Sequence, residues 1–161
     1  MNGRFVFFLL FVASCSVFAS EKADFVLVEK SKGSLTLFRA DKTFAVFHVV
    51  FGANPVGHKQ REGDERTPEG RYTLDVKKSD SAFYKAIHIS YPNERDVANT
   101  NAQGVEPGGA IMVHGQKNGL GWLSAITQLF NWTNGCVALR NDDMDQVWER
   151  VDVGTPIEIR P

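Results

Sequence analysis

The chain has 161 residues, of which 43% are hydrophobic and 23% are charged, and its formal net charge is -1. This length and composition are those of one ordinary globular domain with room for a proper core. The near-zero charge provides no basic field, which argues against nucleic acid as a partner.

The N-terminal segment differs in character from the rest of the chain. One positive charge, Arg4, precedes the apolar run 5–13, and small residues follow up to Ala19. This order predicts a secretory signal peptide over residues 1–19, so we expect export to the periplasm or the cell envelope. The alternative is a lipoprotein-type site in which Cys15 is acylated, and simple cleavage near Ala19 is the preferred interpretation.

Five segments in the first ninety residues have the composition or the alternation of β-strands. They are separated by short turns, except for the polar connection 51–71, whose length is typical of a functional loop. Residues 94–109 are polar and rich in Gly and Pro, and we expect a second loop beside a cleft. The predicted strands cover residues 24–29, 34–38, 43–50, 72–76 and 86–90.

Four apolar patterns follow in the second half of the chain. The run 110–113 ends at His114 and predicts a histidine at the end of a strand. Apolar residues at helical spacing between 122 and 130 predict a short helix that either walls a cleft or packs on the core. A helix capped by Asn141 and a closing strand over 156–159 complete a mainly β fold. The apolar stripe of that helix is Met144, Val147, Trp148 and Val151.

Cys136 is the cysteine that remains once the predicted signal peptide is removed. A single thiol in an exported domain provides no disulfide framework, so it needs another reason to be present. A thiol and an imidazole that the fold brings together form a nucleophile and its activating base. The residues alone also allow structural roles, because a lone cysteine is commonly a small buried hydrophobe.

The order His114-Gly115 and then Thr133-Asn134-Gly135-Cys136 resembles the catalytic signature of the L,D-transpeptidase (YkuD-type) family of peptidoglycan enzymes. The Thr-Pro-x-Gly-x-Tyr segment at 67–72 and the Tyr-Pro-Asn segment at 91–93 are similar to further family landmarks. The resemblance covers residues 24–161 and implies a β-sandwich-like catalytic domain with a few short helices flanking the Cys segment. It implies peptidoglycan stem peptides as partners. We expect a monomer that uses no cofactor.

The resemblance also implies a role for each residue of the signature. Cys136 is expected to attack a stem-peptide amide and form a thioester, with His114 as general base and acid. The Gly115 carbonyl is expected to orient the imidazole, and the N–H groups of Gly135 and Cys136 are candidate oxyanion donors. The imidazole is expected to hold the thiol pKa below about 8.5. Substrate contacts are expected from Arg140, Thr133, Asn134, Arg66 and Tyr91.

Several functions share this chemistry or this fold. Transfer to an amine gives an L,D-transpeptidase of cell-wall remodelling, which is the primary interpretation. Transfer to water gives an L,D-endopeptidase or amidase that hydrolyses peptidoglycan cross-links or protein attachments. A non-catalytic wall-binding module is the alternative of another class, and the intact Cys136–His114 pair argues against it. The histidines and Cys136 lack Cys-x-x-Cys or His-x-x-x-His spacing, so no metal site is predicted.

Overall fold

The computed structural model describes residues 21–161, so the predicted signal peptide and the acylation site at Cys15 lie outside the described residues. Short 3-10 helices span Lys30–Lys32 and Gly121–Leu123. None of the helices in the described part has the length and apolarity needed to cross a membrane. The strands are β1 (Phe25–Glu29), β2 (Ser34–Arg39), β3 (Lys42–His48), β4 (Gly70–Lys78), β5 (Ala86–Ile89), β6 (Met112–His114), β7 (Val137–Ala138) and β8 (Thr155–Arg160), and the α-helices are α1 (Glu94–Gln103), α2 (Ser124–Thr127) and α3 (Asn141–Arg150).

The eight strands form one curled sheet in the order β3-β2-β1-β8-β4-β5-β6-β7. The pairs β1–β8 and β6–β7 are parallel, and the other neighbours are antiparallel. The two edges of the sheet meet, because Val50, just after β3, forms an antiparallel bridge with Ala138 of β7. The mainly β fold class predicted from the sequence is confirmed. The central position of the last strand, between β1 and β4, could not be read from the chain order.

The core lies inside this curled sheet and under α3. Alternate residues of the strands are buried, as the period of two requires. In α3, Met144 and Val147 are buried, Val151 at its C-cap is buried, and Trp148 packs partly against the same cluster. The predicted apolar stripe is therefore confirmed. Each fully buried aliphatic side chain stabilises the fold by about 1.5–3 kcal/mol.

The predicted loop over residues 94–109 is wrong for its first ten residues, which form α1. Asn93 and Asp96 make a reciprocal capping box, and Gly104 ends the helix in a left-handed conformation. The helix carries no apolar stripe, because its buried residues are Asp96 and Thr100. Hydrophobic periodicity therefore gave no signal, and the capping residues were the only indication of a helix.

The helix predicted between His114 and Cys136 is present but short, and its apolar residues do not pack on the core. The 3-10 turn continues directly into α2. The exposed fractions are 77% for Trp122, 56% for Ile126, 79% for Leu129 and 52% for Phe130. The prediction that Asn141 caps α3 is also wrong. Arg140 occupies the N-cap, and Asn141 instead accepts a hydrogen bond from the Gln116 N–H at 2.9 Å.

Candidate active site

The neighbouring strands β6 and β7 bring His114 and Cys136 together. Their parallel register pairs Val113 with Val137 and His114 with Ala138, and Cys136 directly precedes β7. Residues two apart on a strand share a face, so His114, Ala138 and Cys136 project to the same side of the sheet. Diagonal neighbours of this kind have Cα atoms about 7–8 Å apart, which is within reach of an imidazole and a thiol.

The imidazole of His114 is buried and held in one orientation. Its Nδ1 lies 2.6 Å from the carbonyl oxygen of Gly115, and the residue is 2% exposed. A carbonyl only accepts, so Nδ1 carries the proton and Nε2 keeps its lone pair as a base. The rings of Phe83 and Trp132 flank the imidazole with centroids at 4.4 and 5.9 Å. The geometry thus suits a neutral, oriented imidazole.

Only glycine fits at position 115. A Cβ there would lie 2.7 Å from the Tyr84 carbonyl oxygen and 2.8 Å from Oδ1 of Asn141. The Gly115 N–H donates to the same Tyr84 carbonyl at 2.8 Å. The carbonyl that orients His114 is therefore itself fixed by close packing on two sides.

Cys136 is half-buried at the edge of a cleft. Its Sγ lies 3.7 Å from the Ala110 carbonyl oxygen, and the backbone N–H of Met112 donates to the sulfur. Burial raises the pKa of the thiol, and the Met112 N–H and the positive charge of Lys59 oppose that shift. Burial likewise lowers the pKa of His114, opposed by the Gly115 carbonyl. Both shifts favour the neutral forms of the pair, and the sequence-based prediction of a lowered thiol pKa is wrong in direction.

The turn before the nucleophile is built on the Thr133 hydroxyl. This oxygen accepts from the Gly135 N–H at 3.1 Å and donates to the Cys136 carbonyl at 2.8 Å. Gly135 has a φ of +124°, and a Cβ there would lie 2.6 Å from the Arg66 carbonyl oxygen. The Gly135 N–H is therefore engaged within the turn. Of the two predicted oxyanion donors, the Cys136 N–H is the one with no protein acceptor within residues 21–161.

Of the predicted substrate-binding residues near the nucleophile and on the core, Thr133 and Tyr91 are buried and Asn134 is exposed. Thr133 is 4% exposed and maintains the turn, while Asn134 is exposed and lines a cavity of about 320 Å³ beside the nucleophile. Tyr91 is 2% exposed, and its hydroxyl donates to the Pro107 carbonyl at 3.0 Å. Burial raises the Tyr91 pKa, as expected for a phenol in the core.

Within residues 21–161, neither of the two predicted arginines donates a hydrogen bond to the Cys136 thiol. The backbone carbonyl of Arg66 packs against Gly135 in the turn before Cys136. The Arg66 side chain contacts another residue, with Nη1 at 3.5 Å from the carbonyl oxygen of His58. Arg140 is exposed at the N-cap of α3, four residues past Cys136 and beyond the far end of β7. Four residues of extended chain correspond to about 13 Å between the two Cα atoms, and substrate contact by Arg140 stays a prediction.

The cavity beside Cys136 contains residues that sequence reasoning did not single out. Lys59 is buried there, and the long polar loop and the segment before β6 supply the other walls. A lysine among many polar loop residues gives no sequence signal of burial. The cavity is lined by Lys59, Glu62, Gly63, Glu65, Gly108, Gly109 and Asn134.

A larger groove of about 780 Å³ lies elsewhere, between the N-terminus of α1 and the end of β8. His58 donates there from Nε2 to Asp96 at 3.1 Å, because its Nδ1 already accepts from the Glu69 N–H. Neither the catalytic pair nor the segments next to it line this groove, whereas Gly109 and Asn134 line the smaller cavity. The size of the groove therefore does not mark it as the site of the thiol chemistry.

The comparison with family models decides the identity of the domain. Residues 23–159 match the model of the L,D-transpeptidase catalytic domain, YkuD. The chain belongs to the L,D-transpeptidase catalytic domain family. Membership in this family connects the chain with peptidoglycan and supports an enzymatic function.

One curated protein and one solved structure are similar to this chain over most of its length or a large part of it. The chain is 35% identical over 98 residues to the Escherichia coli K12 protein named "Putative L,D-transpeptidase YafK", which covers 60% of this chain and 32% of that protein. It is similar to the structure of the helical cell shape determining protein Pgp2 from Campylobacter jejuni, with 25% identity, a TM-score of 0.62 and coverage of 84% and 46%.

The fold is shared more widely. An L,D-transpeptidase structure from Mycobacterium tuberculosis has a TM-score of 0.55 at 18% identity, covering 85% of this chain and 57% of that one. The chain spans about a third of the length of the curated relatives that it matches, and less than half of Pgp2.

Proposed function

We propose that this chain is an exported cysteine acyl-transfer enzyme that acts on peptidoglycan stem peptides through a thioester on Cys136, as an L,D-transpeptidase of cell-wall remodelling. The observation that carries the proposal is the pairing of a half-buried thiol with an oriented imidazole on adjacent strands. His114 Nδ1 is held by the Gly115 carbonyl, which leaves Nε2 available on the face that Cys136 shares. The family to which the chain belongs supports the substrate class.

The first half-reaction forms the thioester. Because the thiol and the imidazole are both neutral at rest, the sulfur's proton passes to His114 Nε2 as Sγ attacks the amide carbonyl. The oxyanion that develops is stabilised by the Cys136 N–H, and such a donor typically contributes about 3 kcal/mol. Collapse of the tetrahedral intermediate breaks the C–N bond, and His114 returns its proton to the leaving amine.

The second half-reaction decides the product. In transfer, His114 accepts a proton from an acceptor amine, which attacks the thioester, and the proton then returns to Cys136 as the thiolate leaves. The product is a new amide, and the free enzyme is regenerated. Transfer therefore requires that an amine reach the thioester before water does.

Hydrolysis is the second candidate, and one observation favours it. Trp122, Ile126, Leu129 and Phe130 are all more than half exposed, so the segment between His114 and Cys136 does not bury its apolar surface over the nucleophile. A thioester on the half-buried Cys136 is therefore not shielded from water by this segment. Attack by water on the same intermediate gives an L,D-endopeptidase or amidase without any change of catalytic residues.

One experiment tests the proposal and separates its two outcomes. The mature protein is incubated with purified muropeptides and increasing concentrations of a labelled acceptor amine, and products are identified by mass. Transfer predicts that the amide adduct grows at the expense of the hydrolysed stem, and Cys136→Ala abolishes both. Wild-type turnover in Cys136→Ala refutes the cysteine mechanism. A partition that never moves toward the amide rejects transfer and leaves hydrolysis.

A further inference from the structure

Two lysine side chains within residues 21–161 are almost completely buried. They differ in the number of hydrogen-bond acceptors around the ammonium group. The side chains of Lys30 and Lys59 are 4% and 3% exposed. An ammonium has three N–H donors. Lys30 contacts three acceptors, the carbonyls of Gly57 at 2.7 Å and Thr67 at 3.3 Å and a carboxylate oxygen of Glu69 at 2.7 Å. Lys30 is thus fully satisfied by the fold.

Lys59 has only two acceptors. Its Nζ lies 2.8 Å from Oδ1 of Asp64 and 3.0 Å from the carbonyl oxygen of Arg61. Within residues 21–161 its third N–H has no acceptor. A buried charged donor without a partner is costly, and proteins rarely retain one unless a ligand completes it.

Asp64 accounts for one of the three Lys59 protons, and the fold holds Asp64 by other contacts as well. Its carboxylate already accepts three backbone N–H groups, from Gln60 at 2.6 Å and from Arg61 and Arg66 at 3.1 Å. Burial by itself raises the Asp64 pKa, but the hydrogen bonds from Lys59 and the backbone outweigh burial and hold the pKa below its usual value. The loop 60–66 therefore keeps most of its contacts to Asp64 when the ammonium is removed.

Lys59 lines the 320 Å³ cavity that adjoins the nucleophile. On one wall, Asn134 lies two residues before Cys136, and on another, Gly109 precedes Ala110, whose carbonyl contacts Sγ. Glu62 and Glu65, which also line this cavity, are exposed and form no ion pair within the described part of the chain. The cavity therefore presents one buried cation with a free donor and two exposed carboxylates.

We propose that this cavity binds the zwitterionic end of a diamino acid in the stem peptide, with its carboxylate on Lys59 and its ammonium against Glu62 or Glu65. The proposal rests on the proposed function, since it names the part of the stem peptide held beside Cys136. It assigns Lys59 as a specificity-determining residue. It also predicts which stems are used. A diamino acid that ends in both an ammonium and a carboxylate is preferred over one that ends in an amine alone.

The test measures binding rather than turnover. The Cys136→Ala protein is titrated calorimetrically with three synthetic stem peptides, whose diamino acid ends in the free zwitterion, in its carboxamide, or in its N-acetyl form. Charged hydrogen bonds of this kind predict about a tenfold to a hundredfold preference for the zwitterion over the carboxamide. Lys59→Met in the same background removes this preference, whereas Lys30→Met, which removes the other buried lysine, retains it.

The outcomes separate this inference from the proposed function. Equal affinity for the zwitterion and the carboxamide in the Cys136→Ala protein overturns the assignment of Lys59. An unchanged preference after the additional change Lys59→Met overturns it as well. If thermal melting shows that Lys59→Met does not fold, Lys59→Gln provides the same comparison. Glu62→Gln/Glu65→Gln reduces the loss caused by N-acetylation, by up to about fivefold for exposed pairs. A wild-type protein that binds the zwitterion selectively yet turns over no muropeptide refutes the proposed function alone.

Discussion

Replacing Thr133 by valine tests the turn that presents the nucleophile. Valine keeps the shape of threonine but removes the hydroxyl that bridges the Gly135 N–H and the Cys136 carbonyl. Two neutral hydrogen bonds contribute about 1 kcal/mol each, and a buried N–H left without a partner adds about 1–3 kcal/mol. Since Thr133 and Gly135 are both buried, we expect Thr133→Val to lower the free energy of unfolding by about 3–5 kcal/mol.

Urea denaturation followed by tryptophan fluorescence measures this loss, with Thr133→Ser as the matched control. Serine keeps both hydrogen bonds and removes one methyl group, for which about 1 kcal/mol is expected. The turn also positions the Cys136 N–H, so muropeptide turnover by folded Thr133→Val should fall more than about tenfold. If Thr133→Val and Thr133→Ser agree within about 0.5 kcal/mol and turn over equally, the hydroxyl is not what builds the turn.

Three further predictions concern the site and the predicted signal peptide. Because burial raises the Cys136 pKa, the rate of its alkylation should titrate above about 8.5, the pKa of free cysteine, and a lower midpoint contradicts this. Because burial lowers the His114 pKa, the free energy of unfolding should fall as the pH drops below about 6.5, where the histidine of the unfolded chain takes up a proton first. A free energy of unfolding that does not change over this pH range contradicts the second expectation. Gly115→Ala should lower the free energy of unfolding by about 1–3 kcal/mol, because the new Cβ would lie 2.7 Å from the Tyr84 carbonyl oxygen. The control Gly109→Ala places its Cβ in open space and should be near neutral. Equal urea midpoints for the two variants would show that there is no clash at position 115. The mass of the mature protein should place its N-terminus near Ser20, whereas an acylated Cys15 supports the lipoprotein alternative and an uncleaved Met1 contradicts both.

The elements that the sequence predicted are those with apolar periodicity. The alternation in 72–76 and 86–90 identified β4 and β5, and the stripe from Met144 to Val151 identified the buried face of α3. Residue chemistry likewise pointed to Cys136 and His114, which the register of β6 and β7 places on one face. These signals are local or belong to single residues, so one chain is sufficient to detect them.

The features that were missed depend on contacts between distant segments. The helix α1 buries polar residues, and Asp96 is compensated by the Tyr72 hydroxyl at 3.0 Å, 24 residues away. The burial of Lys59 depends on how the loop folds around Asp64. The direction of the thiol pKa depends on the burial around Cys136, which no spacing of His and Cys encodes. Tertiary environment determines each of these properties.

The meeting of the two sheet edges affects how the nucleophile segment opens. The strand β7 has only two residues, but it is bonded on both sides. The Ala138 N–H donates to Val50 at 2.8 Å, the Val50 N–H returns a bond at 3.0 Å, and the Leu139 N–H donates to His114 at 2.9 Å. Breaking these bonds separates β7 both from β6 and from the segment that follows β3. Amide hydrogens of Ala138 and Leu139 should therefore exchange with solvent only by the cooperative opening of the whole domain, whereas those of the exposed segment 120–130 exchange through small local fluctuations.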